Sequence, residues 1–139
     1  MTDLFDLRDK TIAITGGGGV LCSAMALALA KTGARIAILD LAEVAAAQVT
    51  EEIKSDGGLA IAVKCDVLDK ESLEAAKEEI NSAYGKIDIL INGAGGNKKE
   101  ATTSPDLSFF DLPSEALQFV FNLNFIGTLL PSQVFGKEM

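Results

Sequence analysis

The chain contains no histidine. That absence removes His-based triads, HExxH zinc sites and imidazole acid–base chemistry, and no metal site is expected. Only two cysteines are present, Cys22 and Cys65, too few for a disulfide framework. No apolar run approaches the roughly 18 residues that a membrane span requires. The opening MTDLFDLRDK also lacks the basic-then-apolar order of a leader. The expectation is a cytoplasmic protein without a membrane partner. Positive charge is scarce too: 12 Lys and Arg stand against 20 Asp and Glu, a net charge of −8. This balance argues against nucleic acid as a partner, and solubility alone accounts for it. No internal repeat, low-complexity tail or linker interrupts the chain.

What is present is enough for one core: 48% of the 139 residues are hydrophobic. Apolar, β-branched runs alternate with alanine-rich or charged stretches of helical length. TIAIT (11–15), RIAILD (35–40), LAIAVKCD (59–66) and KIDILIN (86–92) read as four buried strands. Helices are expected from Val20 to about Lys31, stopped by Gly33, and over 42–55, ended by Asp56-Gly57-Gly58. A third is expected after an Asp69 N-cap, through Tyr84 to Gly85. After a long loop, GAGGNKKEATTSPDLSFFDL, Pro113-Ser114-Glu115 opens a last helix running towards Met139. Strands that are apolar throughout, separated by helices, mark a parallel sheet covered on both faces. Right-handed crossovers then favour an α/β, Rossmann-type doubly wound sheet in the order 3-2-1-4.

Four consecutive glycines, Gly16 to Gly19, fall between the first strand and the first helix. In a doubly wound sheet this is where helix N-terminal amides meet a phosphate, and a turn without Cβ atoms lets backbone approach a pyrophosphate closely. One or two glycines would serve a tight turn; four favour a ligand. The spacing is not GxGxxG, and no Lys-Ser/Thr pair follows to make a Walker loop. The second strand ends in Asp40, 24 residues after Gly16, where dinucleotide folds place the carboxylate for the adenosine ribose. That carboxylate would repel the 2′-phosphate of NADP, and no Lys or Arg follows in DLAEV. NAD is therefore the expected cofactor and NADP the less favoured one.

With these residues in place, the chain resembles the short-chain dehydrogenase/reductase family along essentially its whole length. Thr15 and Gly16 match the start of that family's TGxxxGxG, CDV at 65–67 resembles its Asp-Val after the third strand, and NGAG at 92–95 its NNAG after the fourth. FNLNFIG at 121–127 is similar to the helix motif with the family's catalytic asparagine, carried here onto Asn124. The resemblance implies a cofactor site made by Thr15, Gly16, Gly17, Gly18, Gly19, Val20, Leu21, Asp40, Leu41, Cys65, Asp66, Val67, Asn92, Gly93, Ala94 and Gly95. Asp66 would meet the adenine amino group. The strings TGGGGVLCSAMA, INGAGGN and NLNFIGTLLPSQVF further resemble sugar-acid reductases of the D-mannonate oxidoreductase or gluconate 5-dehydrogenase type. Asn97, Lys98 and Lys99 could meet a substrate carboxylate there, or be solvated surface.

The departures are as informative. The family's second and third glycines fall on Val20 and Cys22, and its second asparagine on Gly93. The pyrophosphate would then rest on Gly17 to Gly19. Cys22 is read as a packing residue, with a reactive thiol as the alternative. The family's serine and Tyr-xxx-Lys lie beyond the asparagine helix. The only tyrosine here, Tyr84, has Asp88 at +4. The expectation is thus a dinucleotide-binding domain over residues 1–139 that is the N-terminal part of a homo-oligomeric oxidoreductase (dimer or tetramer) and inactive alone. In that reading, Phe119, Phe121, Phe125 and Phe135 serve core and subunit contacts. The alternative is a stand-alone nucleotide-binding or interaction module, a pseudoenzyme.

Overall fold

The computed structural model describes residues 6–139, so the first five residues of the opening segment, read above as no leader, lie outside the described residues. Four parallel strands, β1 (Thr11–Thr15), β2 (Arg35–Asp40), β3 (Leu59–Lys64) and β4 (Ile89–Asn92), form one sheet in the order β3-β2-β1-β4. The strand order and the Rossmann-type class therefore stand as expected. Registers run Ile12 to Ile36 and Ile89, and Ile38 to Ala62.

Successive side chains on a strand point to opposite faces, and that alternation divides the core in two. Ile12, Ile14, Ile36 and Ile38 face α1 (Val20–Ala30) and α2 (Glu43–Ser55), meeting Ala26, Ala46, Val49 and Ile53. Ala13, Ala37, Leu39 and Val63 face α3 (Lys70–Tyr84) and a C-terminal helix, meeting Leu73, Ile80 and Phe135. The four β1 and β2 isoleucines have no exposure; each such burial contributes about 1.5–3 kcal/mol. Small residues on the second face leave room for Phe135, which is also fully buried. Gly33 and Gly85 follow α1 and α3 with positive φ, and the Asp69 carboxylate accepts the Glu71 amide at 3.0 Å, as an N-cap does.

Three boundaries differ from the sequence reading. β3 stops at Lys64 rather than residue 66: the Cys65 amide makes a last bond to the Asp40 carbonyl, and the Asp66 carboxylate then accepts the Leu68 amide, turning the chain out of the sheet. β4 begins at Ile89 rather than residue 86. Asp88 gives its amide to the Thr11 carbonyl, but its carboxylate accepts the Thr11 amide, so a side chain ends the ladder. The last helix is interrupted: α4 (Ser114–Phe121) passes through a π-turn (Asn122–Ile126) into α5 (Gly127–Gly136), which contains Pro131. Side chains take carbonyls around this wider turn, with Asn124 Nδ2 donating to Val120 and Thr128 Oγ1 to Asn124.

The ends where β1 and β2 begin are closed by polar side chains. Arg35 Nη1 donates to the Tyr84 carbonyl at 3.2 Å, Arg35 Nη2 pairs with Asp9 at 3.0 Å, and Lys10 Nζ lies 3.6 Å from Asp88. The opposite ends are open.

Candidate cofactor site

At those open ends, the turn from β1 into α1 has to leave the sheet, double back and start a helix within four residues. Gly16 does so with φ +62°, a left-handed conformation, and a Cβ there would lie 2.8 Å from the Ala94 backbone. Gly17 and Gly18 are glycine for a different reason. A Cβ on Gly17 would lie 2.9 Å from the Ile14 carbonyl, and one on Gly18 2.7 Å from Ala45 Cβ at the start of α2. A Cβ on Gly19, the α1 N-cap, would meet only the Gly16 carbonyl, at 3.2 Å. Packing thus explains three of the glycines. Gly19 forgoes the Ser, Thr or Asp preferred at an N-cap, and the space beside it is bounded only by the Gly16 carbonyl.

The loop amides are largely consumed by the protein itself. Gly17 N–H donates to the Leu39 carbonyl, Gly18 N–H to Asp40 Oδ2 and Gly19 N–H to the Gly16 carbonyl, each at 3.0 Å. The first α1 amide with a helical partner is that of Ser23, which donates to Gly19. Val20, Leu21 and Cys22 therefore hold the N–H groups that point out of the helix start, the usual recipients of an anion. Of Gly17 to Gly19, where a pyrophosphate is expected to rest, Gly17 and Gly18 pack against Ile14, Ile38 and Ala45. The surfaces offered are those of Gly16, Gly19 and the first turn of α1.

A cleft of about 300 Å³ runs across these strand ends, lined by Gly16, Gly19, Asp40, Leu41, Cys65, Asp66, Val67, Gly93, Ala94, Gly95 and Leu123. Ten of these eleven residues stand among the sequence candidates. Leu123 does not; its only signal is its place beside Asn124, where the π-turn brings it to the cleft. Of the other candidates, Thr15 lies fully buried behind the wall, its hydroxyl accepting the Gly93 and Ala94 amides at 3.1 and 3.2 Å. Gly17 and Gly18 lie behind the loop, while Val20 and Leu21 expose their side chains beside it. Asn92 donates from Nδ2 to Ser132 Oγ on α5.

Asp40 holds the loop as well as lining the cleft. Its Oδ1 accepts the Ala42 amide at 2.9 Å and its Oδ2 the Gly18 amide. A carboxylate has about four acceptor positions, so two remain for hydroxyl donors. Neither thiol is set up as a nucleophile. Burial pushes the Cys65 thiol up to about 11, only partly offset by the Ser72 hydroxyl, and burial followed by the Asp40 charge raises Cys22. The reactive-thiol alternative for Cys22 therefore has no support.

Asn124 is fully engaged. Its Nδ2 donates to the Gly96 and Val120 carbonyls at 2.7 and 2.8 Å, and its Oδ1 accepts the Gly96 amide at 3.1 Å. The side chain thus clamps the segment after β4 to the π-turn. Tyr84 lies at the opposite end of the sheet, its carbonyl accepting from Thr11 Oγ1 and Arg35. Burial raises its phenol above the usual value, the opposite of what a proton-transferring tyrosine needs.

A parallel sheet in this order, with a glycine turn and the carboxylate of the next strand sharing one cleft, defines the Rossmann-type α/β class. Residues 10–139 match the short chain dehydrogenase family, and the chain belongs to that family. It is 48% identical to an uncharacterized oxidoreductase of Haemophilus influenzae over 96% of this chain and 50% of that protein. It is 49% identical to the uncharacterized oxidoreductase UxuB of Bacillus subtilis over 96% of this chain and 51% of that protein. Among solved structures, it superposes with a TM-score of 0.91 on a candidate D-mannonate oxidoreductase from Haemophilus, solved with bound NAD. That match is 48% identical and covers 96% of this chain and 51% of the other. The chain thus spans about half the length of the curated relatives it matches.

Proposed function

We propose that this chain forms the cofactor-binding part of an NAD-dependent oxidoreductase that moves hydride between NAD and a keto or hydroxyl group of a sugar acid of the D-fructuronate or D-mannonate kind. The observation that carries the cofactor reading is Asp40 in the cleft, with two acceptor positions left for ribose hydroxyls and no basic residue in Leu41-Ala42-Glu43-Val44 to receive a 2′-phosphate. The cradle fits the group: Gly19 leaves space that the protein does not use, beside the outward amides of Val20, Leu21 and Cys22. NAD, when bound, supplies the hydride acceptor. The chain's own part is to hold the adenosine half between Asp40, Leu41, Asp66 and Val67 and the diphosphate against α1. Asn124 keeps the wall after β4 in place.

The sugar-acid reading rests on similarity to the NAD-bound Haemophilus structure, and Lys98 and Lys99 would supply charge for a carboxylate. Lys98 is already held with its ammonium 5.0 Å from the centre of the Phe119 ring. The exposed Phe119 and the stacked Phe121–Phe125 pair fit a subunit contact in a cytoplasmic homo-oligomer. Alone, this chain binds cofactor without turnover, because its one tyrosine sits at the wrong end of the sheet. Calorimetric titration of the purified chain with NAD and NADP, followed by an assay with D-mannonate, tests both parts. NAD is expected to bind at least about tenfold more tightly than NADP, since a phosphate against a carboxylate is strongly disfavoured. Equal binding overturns the cofactor reading. Formation of NADH by this chain overturns the inactivity.

A further inference from the structure

Two departures from the family pattern, a sulfur at position 22 and a missing side chain at position 93, meet in space. A Cβ built on Gly93 would overlap the Cys22 sulfur and lie 2.7 Å from the Thr15 carbonyl. Cys22, on the first turn of α1, is 6% exposed and belongs to the core cluster beneath β1 and β2. Gly93 is part of the cleft wall. The wall segment Gly93–Ala94 is consequently held from three directions. The Thr15 hydroxyl accepts both of its amides, Gly16 presses against Ala94 with no room for a Cβ, and the Cys22 sulfur fills the volume below.

We propose that Cys22 is a positioning residue for the cofactor cleft: its sulfur stands in for the absent side chain of residue 93 and keeps the Gly93–Ala94–Gly95 wall at its distance from Gly16. The thiol acts by volume and not by ionisation, so serine, uncharged but smaller, restores the wall only in part. A void under Gly93 lets the wall sink and loosens the two bonds to Thr15. The functional part of this proposal rests on the NAD reading above.

The test combines amide hydrogen exchange, read residue by residue by NMR, with NAD titration of the full chain and its Cys22→Gly and Cys22→Ser variants. In Cys22→Gly, exchange at Gly93 and Ala94 is expected to rise at least about tenfold more than at Ile36 and Ile38 in β2. The NAD dissociation constant is expected to rise about tenfold, in the range of couplings between touching residues. Cys22→Ser, which keeps part of the volume but buries a hydroxyl, is expected to fall between Cys22→Gly and the parent in both quantities. Gly93→Ala should lower the melting temperature less in the Cys22→Gly background than in the parent, because one of its two collisions is gone. Should Cys22→Gly not fold, Cys22→Ala reads the same quantities with a smaller void. A rise in exchange spread evenly over β2 and the wall overturns the proposal, as does unchanged NAD affinity in a folded variant. A parent chain that binds no NAD refutes the cofactor reading instead, and the exchange pattern alone then decides whether Cys22 positions the wall.

Discussion

Where β1 and β2 begin, Asp88, Arg35 and Lys10 close the sheet with side chains; where they stop, Gly16 to Gly19 and Gly93 keep side chains away. The same two strands, with the same buried isoleucines, therefore end in opposite ways. At the closed end, the Asp88 carboxylate satisfies a Thr11 amide that would otherwise lack a partner, and the gain is stability. At the open end, the backbone bonds to itself and to Asp40, and what remains is a cleft. A substitution at the closed end should therefore be felt in folding alone. At the open end, folding and binding can be separated residue by residue.

The largest effect should come from the open end, at Gly16→Val. A β-branched residue at φ +62°, with its Cβ 2.8 Å from the Ala94 backbone, is expected to cost about 3 kcal/mol or more in urea denaturation. A loss under about 1 kcal/mol would show that the turn and the β4 exit are not rigidly apposed. Asp88→Asn at the closed end should cost about 1 kcal/mol at neutral pH and leave NAD affinity unchanged. Its pH dependence gives a sharper reading. The Thr11 amide above all, with the charges of Lys10 and Lys86, holds the Asp88 carboxyl below the usual carboxylate range. A group depressed on folding contributes stability above its unfolded value near 3.8 and loses it as pH falls through the folded value. The parent should therefore lose stability on acidification more steeply than Asp88→Asn, and parallel acid limbs would contradict this. The smallest effect on folding is expected for Gly19→Ala, within about 1 kcal/mol of the parent. NAD affinity should nevertheless fall, because the added methyl narrows the space beside the first turn of α1, where the Gly16 carbonyl is its one protein neighbour. If Gly19→Ala instead destabilises as much as Gly16→Val, the distinction between packing glycines and a ligand glycine collapses.

Much of this arrangement was legible in the chain itself. Runs such as TIAIT and RIAILD are apolar in the middle on both faces, so burial and parallel pairing follow from them, and crossover handedness then favours the strand order. Six of the residues lining the cleft are glycine or aspartate at strand ends, where such residues have few other uses, and the resemblance to the family pointed to Leu41, Cys65, Val67 and Ala94 beside them. Other features were hidden because sequence patterns report burial and not which atoms meet. Asp88 reads as part of a strand because it has a strand's backbone neighbours, yet its carboxylate takes the next rung. The break at Asn122–Ile126 is made by side chains reaching carbonyls on the same helix, which leaves no mark on apolar spacing. The four glycines look alike in sequence, but three answer to Ala94, Ile14 and Ala45, and one only to the Gly16 carbonyl at 3.2 Å.

The contact between Cys22 and Gly93 also makes the two positions interdependent. Glycine at both positions leaves a void, which a protein can survive; a sulfur at 22 beneath a side chain at 93 makes a collision. With the sulfur in place, a side chain added at 93 meets it, so a larger residue at 93 is accommodated only once position 22 has been made smaller.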